Sequence, residues 1–150
     1  MKIQVKFDRR ILARSIQRDG LSMFEIAWKM GRSWYPSKNW LDCGAVILGW
    51  WLVVMLGLAK GNSKGKFAFM EGPYAIFAEY NRKSGFVKLV PQGLDRKFLV
   101  PFCDLSTELL TATNTVVRRL GKFRRSKAER AALKKGVVNL QRVIAQGRSK

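Results

Sequence analysis

Site chemistry needs side chains that exchange protons, attack carbon or phosphorus, or hold metals, and this chain has few of them. None of its 150 residues is a histidine, so the group that most readily moves protons near neutral pH is missing. The ten carboxylates are scattered. Only Asp104 and Glu108 share a helical face by spacing, and there they read as first-turn charges favoured by the helix dipole. Cys43 lies in apolar sequence, which raises a thiol pKa, and Cys103 has no base beside it. The two cysteines lack metal-ligand spacing; one disulfide stays open, but nothing resembles a secreted framework, and a reducing compartment is the default for Cys103. Gly61-Asn-Ser-Lys-Gly65, read through Lys66, fails as a phosphate-binding loop. Its spacing is wrong, no Ser or Thr follows the lysine, and a helix rather than a strand precedes it. The expectation is a noncatalytic protein with no cofactor and no metal.

Positive charge is the abundant chemistry. Lys and Arg number 29 against 10 Asp and Glu, a net charge of +19. Such a surface attracts polyanions: nucleic acid, anionic lipid or an acidic protein. The densest cluster is Arg118, Arg119, Lys122, Arg124, Arg125 and Lys127, with Phe123 inside it. These cations suit phosphate contacts whose strength falls with salt, although a solvated helix joint would look similar.

The elements that must position this charge begin with an apolar run, Cys43 to Ala59, without a charge, amide or hydroxyl. Val46, Ile47, Leu48, Trp50, Trp51, Leu52, Val53 and Val54 form its centre, and its length reaches the short end of the transmembrane range. Trp28, Trp34, Tyr35 and Trp40 precede it as candidate interfacial rings, and Lys38 and Lys60 can snorkel from its ends. The expected protein is therefore a single-pass membrane protein. Flanking charge does not orient it, with Lys29, Arg32 and Lys38 on one side and Lys60, Lys64 and Lys66 on the other. Twenty of the 29 cations lie from residue 60 onward, which leans toward a cytoplasmic C-terminal part.

Residues 2–7 alternate in a strand period, and Asp8 caps a helix bearing Ile11, Leu12, Ser15 and Ile16 that ends at Gly20. Ser22 and Glu25 form a capping box ahead of Met23, Ile26, Ala27 and Met30, which predicts a second helix ending at Gly31. The stretch Gly20-Leu-Ser-Met-Phe-Glu-Ile-Ala-Trp-Lys-Met-Gly-Arg-Ser33 resembles the first helix and turn of a helix-turn-helix. Ala27 stands at the helix crossing, Gly31 at the turn and Ser33 at the cap of the second helix. Arg32 and Ser37 depart from the apolar pattern of the motif's second half. The resemblance implies that Ser33, Trp34, Tyr35, Ser37 and Lys38 begin a DNA-reading helix. The competing reading is a pair of amphipathic helices on a membrane surface.

Beyond a hydrophilic linker at 61–65, the pattern from 66 to 102 is a meander of three or four short strands punctuated by Gly and Pro turns. Asp104 caps a helix with Leu105, Leu109, Ala112, Val116 and Leu120 on one stripe. A last helix aligns Leu133, Val137, Leu140 and Ile144 for packing on a partner helix.

The chain thus reads as α+β: short N-terminal helices in a basic segment 1–42, a transmembrane or membrane-inserted helix at 43–60, the linker 61–65, and an antiparallel β-meander with two C-terminal helices at 66–150. The function expected is a noncatalytic, membrane-anchored component of a larger assembly, such as a transfer machine or a viral membrane step. Its partners would be membrane lipid, an anionic surface (nucleic acid or acidic protein), and other subunits or further copies. The alternatives are a membrane-tethered helix-turn-helix regulator and a soluble basic oligomer with a buried apolar helix.

Overall fold

In the computed structural model, which describes residues 1–149, the first local signals act as their chemistry dictates. Lys2–Lys6 form strand β1 and Arg9–Asp19 form helix α1. The Asp8 carboxylate accepts from the N–H groups of Arg10 at 2.9 Å and Ile11 at 3.1 Å, satisfying donors that a helix start leaves free. Gly20 ends the helix at φ 67°, a left-handed conformation that glycine adopts without a Cβ penalty. Leu12, Ser15 and Ile16 form the buried face.

Residues Met23–Met30, where the capping box predicts a helix, are instead strand β2. The segment satisfies two periods at once. Met23, Ile26, Ala27 and Met30 suit a helix, while Phe24, Ile26, Trp28 and Met30 suit a strand, and all four of the latter are buried. Backbone pairing decides between them. Lys2 to Lys6 lie antiparallel to Lys29 to Glu25; on the other side of β2, β3 (Ser33–Tyr35) and β4 (Leu41–Cys43) share its two ends. Ser22, the expected cap, donates its hydroxyl to Glu129 instead. Gly31, at φ 60°, opens a two-residue hairpin loop between Met30 and Ser33. The helix-turn-helix expectation is thereby corrected. Ser33, Trp34 and Tyr35 lie in a strand and Ser37 and Lys38 in the exposed turn after it, with no helix to carry them into a groove.

The second half follows its turn signals. Strands β5 (Lys64–Ala68), β6 (Ala75–Asn81), β7 (Phe86–Pro91) and β8 (Phe98–Pro101) make an antiparallel meander in chain order. Helix α3 (Phe102–Leu120) starts directly from Pro101 with Asp104 in its first turn, and buries Leu105, Leu109, Ala112, Val116 and Leu120. A 3-10 turn, Arg124–Ser126, joins it to α4 (Lys127–Arg148), whose Leu133, Val137 and Leu140 are buried.

Gly44–Lys60 forms α2, a helix as expected, but not a membrane span. No described helix is long and apolar enough to cross a membrane. At 17 residues, α2 reaches about 25 Å against a hydrocarbon core of about 30 Å. The chain itself surrounds it: α2 packs on α4, β5, α3, β2 and β4. Ile47, Leu48, Trp51 and Leu52 are buried, Val46 and Val54 half-buried, and Trp50 and Val53 exposed. The rings assigned to a bilayer interface are also inside. Trp28 and Tyr35 are buried, while Trp34 and Trp40 are half-buried. The single-pass membrane assignment, with its cytoplasmic C-terminal part, is overturned accordingly. A helix apolar on nearly all sides needs apolar surroundings, and here protein supplies them.

Polar groups fasten these layers. Asp42, fully buried at the head of the apolar segment, accepts from Trp40 Nε1 at 3.0 Å, from the N–H of Cys43 at 2.7 Å, and from those of Met70 and Glu71 at 3.2 Å each. The Tyr35 hydroxyl donates to the Gln92 carbonyl at 3.0 Å and accepts from Ala75 N–H at 3.1 Å, tying the first sheet to the second. Trp28 meets Trp51 edge-on at 5.3 Å between centroids, and Phe67 at 5.1 Å. One hydrophobic core takes residues from Ile3 to Leu140, so the segments 1–42, 43–60 and 66–150 pack together. The architecture of the described residues is α+β, four helices with two four-stranded antiparallel sheets.

Candidate polyanion-binding surface

The basic cluster lies where α3 hands over to α4. α3 ends at Gly121, and the buried hydroxyl of Ser126 stands 2.9 Å from the Leu120 carbonyl and 2.8 Å from that of Phe123. That contact folds the joint back on the helix it leaves. Arg130 adds a second tie, its Nε donating to the Val117 carbonyl at 3.3 Å. With the backbone so held, Arg118, Arg119, Lys122, Arg124, Arg125 and Lys127 are all exposed.

The structure adds a second source of charge to this end. Arg125 donates to the Gln17 carbonyl at 3.1 Å, in the last turn of α1. Arg119 lies over the Phe7 ring at 4.9 Å, just before α1 begins. Both contacts dock α1 against the joint, and α1 carries Arg9, Arg10, Arg14 and Arg18 exposed. Two of the cluster's cations are thus oriented by their own chain. Arg118, Lys122, Arg124 and Lys127 have no side-chain partner among the described residues.

Little acidic charge offsets this pole. Among the described residues only Lys6, Arg18 and Lys88 face a carboxylate within 4.0 Å. Arg18 pairs with exposed Asp19, a contact of small energetic weight in water. Glu129, in the first turn of α4, turns inward to Ser22, and burial pushes its carboxyl above the ordinary range despite that hydrogen bond. It therefore does not neutralise the exposed arginines.

Among the described residues the two thiols contact only a thioether and a carboxylate. Cys43 is buried with Sγ 3.2 Å from Met23 Sδ, and burial raises its thiol further from ionisation. Cys103 is exposed beside Asp104 at 3.5 Å. Glu108 accepts the Ile3 N–H at 3.2 Å and fastens β1 to α3. What the pole offers is a set of donors for anionic oxygen.

Two sets of residues escaped the sequence reading. The α1 arginines are spaced along a helix far from the joint in sequence, and only docking joins them to it. Lys64, Lys83 and Lys88 line an open concavity of about 810 Å3 at the β6–β7 end of the second sheet. For Lys64 and Lys88 the signal was the period-2 alternation within each strand, which stays unread until register aligns the strands; Lys83 lies in the hairpin turn between β6 and β7. Arg82, beside them, is committed to structure: it donates to the carbonyls of Leu58 at 2.6 Å and Ala59 at 3.2 Å, capping α2.

No protein-family model matches the chain, and no curated protein or solved structure gives a significant match to it.

Proposed function

We propose that this protein is a noncatalytic binding module for a polyanion, held at the pole where α1 meets the α3–α4 joint. A component of this kind contributes charge and shape to a larger assembly. The observation that supports the reading is the docking of α1 through Arg125 and Arg119, which gathers ten exposed cations at one end with two exposed acids among them, Asp19 paired with Arg18 and Asp8 capping α1. A charge excess so placed focuses the field and steers anionic chains to one surface.

The test uses the full chain with heparin and with duplex and single-stranded oligonucleotides, at several salt concentrations. Affinity should fall linearly on a double logarithmic plot. Replacing Arg118, Lys122, Arg124 and Lys127 by Gln should flatten that slope by about three units if each meets a phosphate, at roughly 0.7–0.9 per contact. These four are chosen because Arg119 and Arg125 also hold α1, so the variant should melt like the wild type. A wild type without salt-dependent binding, or a folded variant with an unchanged slope, would sink the reading.

A further inference from the structure

We infer that the outer face of the β5–β8 sheet is a stacking platform for single-stranded nucleic acid, a second surface distinct from the cationic pole. Register carries the argument. Residues opposed in an antiparallel pair share a face. Lys66, Phe77 and Val90 therefore form one row, Lys64, Glu79, Lys88 and Leu99 the next, and Asn81, Phe86 and Pro101 a third. On the other face Phe67, Ile76, Val87 and Leu89 are fully buried. On the outer face Phe77 is 44% exposed, Phe86 41% and Leu99 69%. Large apolar side chains on an uncovered face mark a surface that binds something.

Charge says what kind of thing. Lys64, Lys66 and Lys88 stand among these rings, with Lys83 on the adjoining hairpin. The Lys66 ammonium lies 5.8 Å from the Phe77 centroid. Glu79, the one carboxylate in these rows, is ion-paired with Lys88, which with Lys64 holds its carboxyl below the ordinary range. Phe77 thus has Lys66 over its ring, and Phe86 shares the concavity with Lys83 and Lys88, so a base that displaces the Lys66 head can stack on Phe77 while its phosphate meets an ammonium. A duplex keeps its base faces in its own stack and cannot use the rings. An acidic peptide would use the lysines and leave the rings idle, and a second copy would bring +19 against +19. Phe77 and Phe86 lie two rows apart, about 14 Å along the strands at ~3.4 Å per residue. They hold separate bases, and the concavity of about 810 Å3 lined by Lys64, Lys88 and Leu99 receives the nucleotides near Phe86.

The experiment is fluorescence anisotropy of the full chain with an oligothymidylate of about 15 nucleotides, near the upper site size of single-strand modules, beside a duplex of equal length and heparin. The wild type should prefer the single strand. Phe77→Ala and Phe86→Ala should each weaken oligothymidylate binding about tenfold, the scale of one lost stacking contact, while heparin binding holds. Phe77→Tyr and Phe86→Tyr, which keep the ring, should bind like the wild type. Phe77→Leu and Phe86→Leu, apolar but without a ring, should behave as the alanine variants do and serve if those fail to fold. Ring-deleted proteins that melt like the wild type and keep full oligothymidylate affinity would overturn the platform. So would an equal loss of heparin binding, or a wild-type dimer that Phe77→Ala separates, which would make the face a self-interface. The four-cation variant distinguishes the two readings. If it binds heparin as the wild type does while the ring variants lose the oligonucleotide, the pole fails and the platform stands.

Discussion

Gly136 of α4 lies so close to Leu52 of α2 that a Cβ on the glycine would stand 2.8 Å from Leu52 Cδ1 and 3.5 Å from its Cβ. Glycine weakens a helix interior, yet here it lets two helices of the core approach. Gly136→Ala should be nearly neutral, since gained helix propensity offsets a small shift of the Leu52 methyl. Gly136→Leu cannot be absorbed that way and should cost about 1–3 kcal/mol, as overpacked cores do. Urea denaturation of the two variants checks the contrast; equal midpoints would mean that the helices are not in tight contact.

Leu52 and its neighbour Val53 separate a helix wrapped by protein from one wrapped by lipid. Leu52 is 3% exposed and Val53 69%. Leu52→Arg should unfold the chain or leave it aggregated, because the charge would be buried without a partner. Val53→Arg should change stability by no more than about 0.5 kcal/mol, as surface substitutions usually do. Thermal melting of purified Val53→Arg is the measurement. A collapse equal to that of Leu52→Arg would contradict the exposure of this side of α2.

Asp42→Asn replaces one carboxylate oxygen by an amide donor. Asp42 Oδ2 accepts from Trp40 Nε1 and from the N–H groups of Met70 and Glu71, so the new donor faces donors, or displaces the bond from Cys43 if it flips. Stability should fall by about 2–3 kcal/mol, the scale of leaving buried polar groups unpaired. Chemical denaturation near neutral pH reads the loss, and an unaltered midpoint would mean that water already serves these donors.

Glu129 predicts a pH dependence with a definite sign. Its carboxyl is raised above the ordinary 4.5, first by desolvation and against the hydrogen bond from Ser22. The folded protein then holds the proton at a pH where the unfolded chain has released it. The stability this proton contributes is complete below about 4.5 and declines as pH rises through the raised value. Glu129→Gln keeps an acceptor for Ser22 and should flatten the decline in that window. Denaturation midpoints across mildly acidic pH test it; a parallel profile for wild type and variant would assign the titration elsewhere.

Much of this fold is local and therefore legible without a structure. Asp8 and Gly20 act on the backbone beside them, the Gly and Pro turns between residues 66 and 101 act within a few residues, and the stripe from Leu105 to Leu120 repeats at the helical period. The polar groups that join the layers are different. Glu129 to Ser22, Tyr35 to Ala75 and Asp42 to Met70 are single side chains with distant partners, and no spacing rule marks them.

Four larger decisions were tertiary. The amino-acid order establishes that residues 43–59 are apolar and helix-forming, but hydrocarbon and protein interior offer the same escape from water, so only packing against α4 and β5 chose between them. Met23–Met30 carries both a helical and a strand period, and its backbone took the one whose hydrogen bonds β1 could complete. The cations of 118–127 were visible as a run, whereas their union with the α1 arginines required Arg125 to reach Gln17. The face holding Phe77, Phe86, Lys64 and Lys88 required register. Sequence sets the charge, the caps and the apolar total by chemistry that acts between neighbours. Which distant surfaces meet is set by the one arrangement that buries all the apolar stripes together while pairing the polar groups trapped between them.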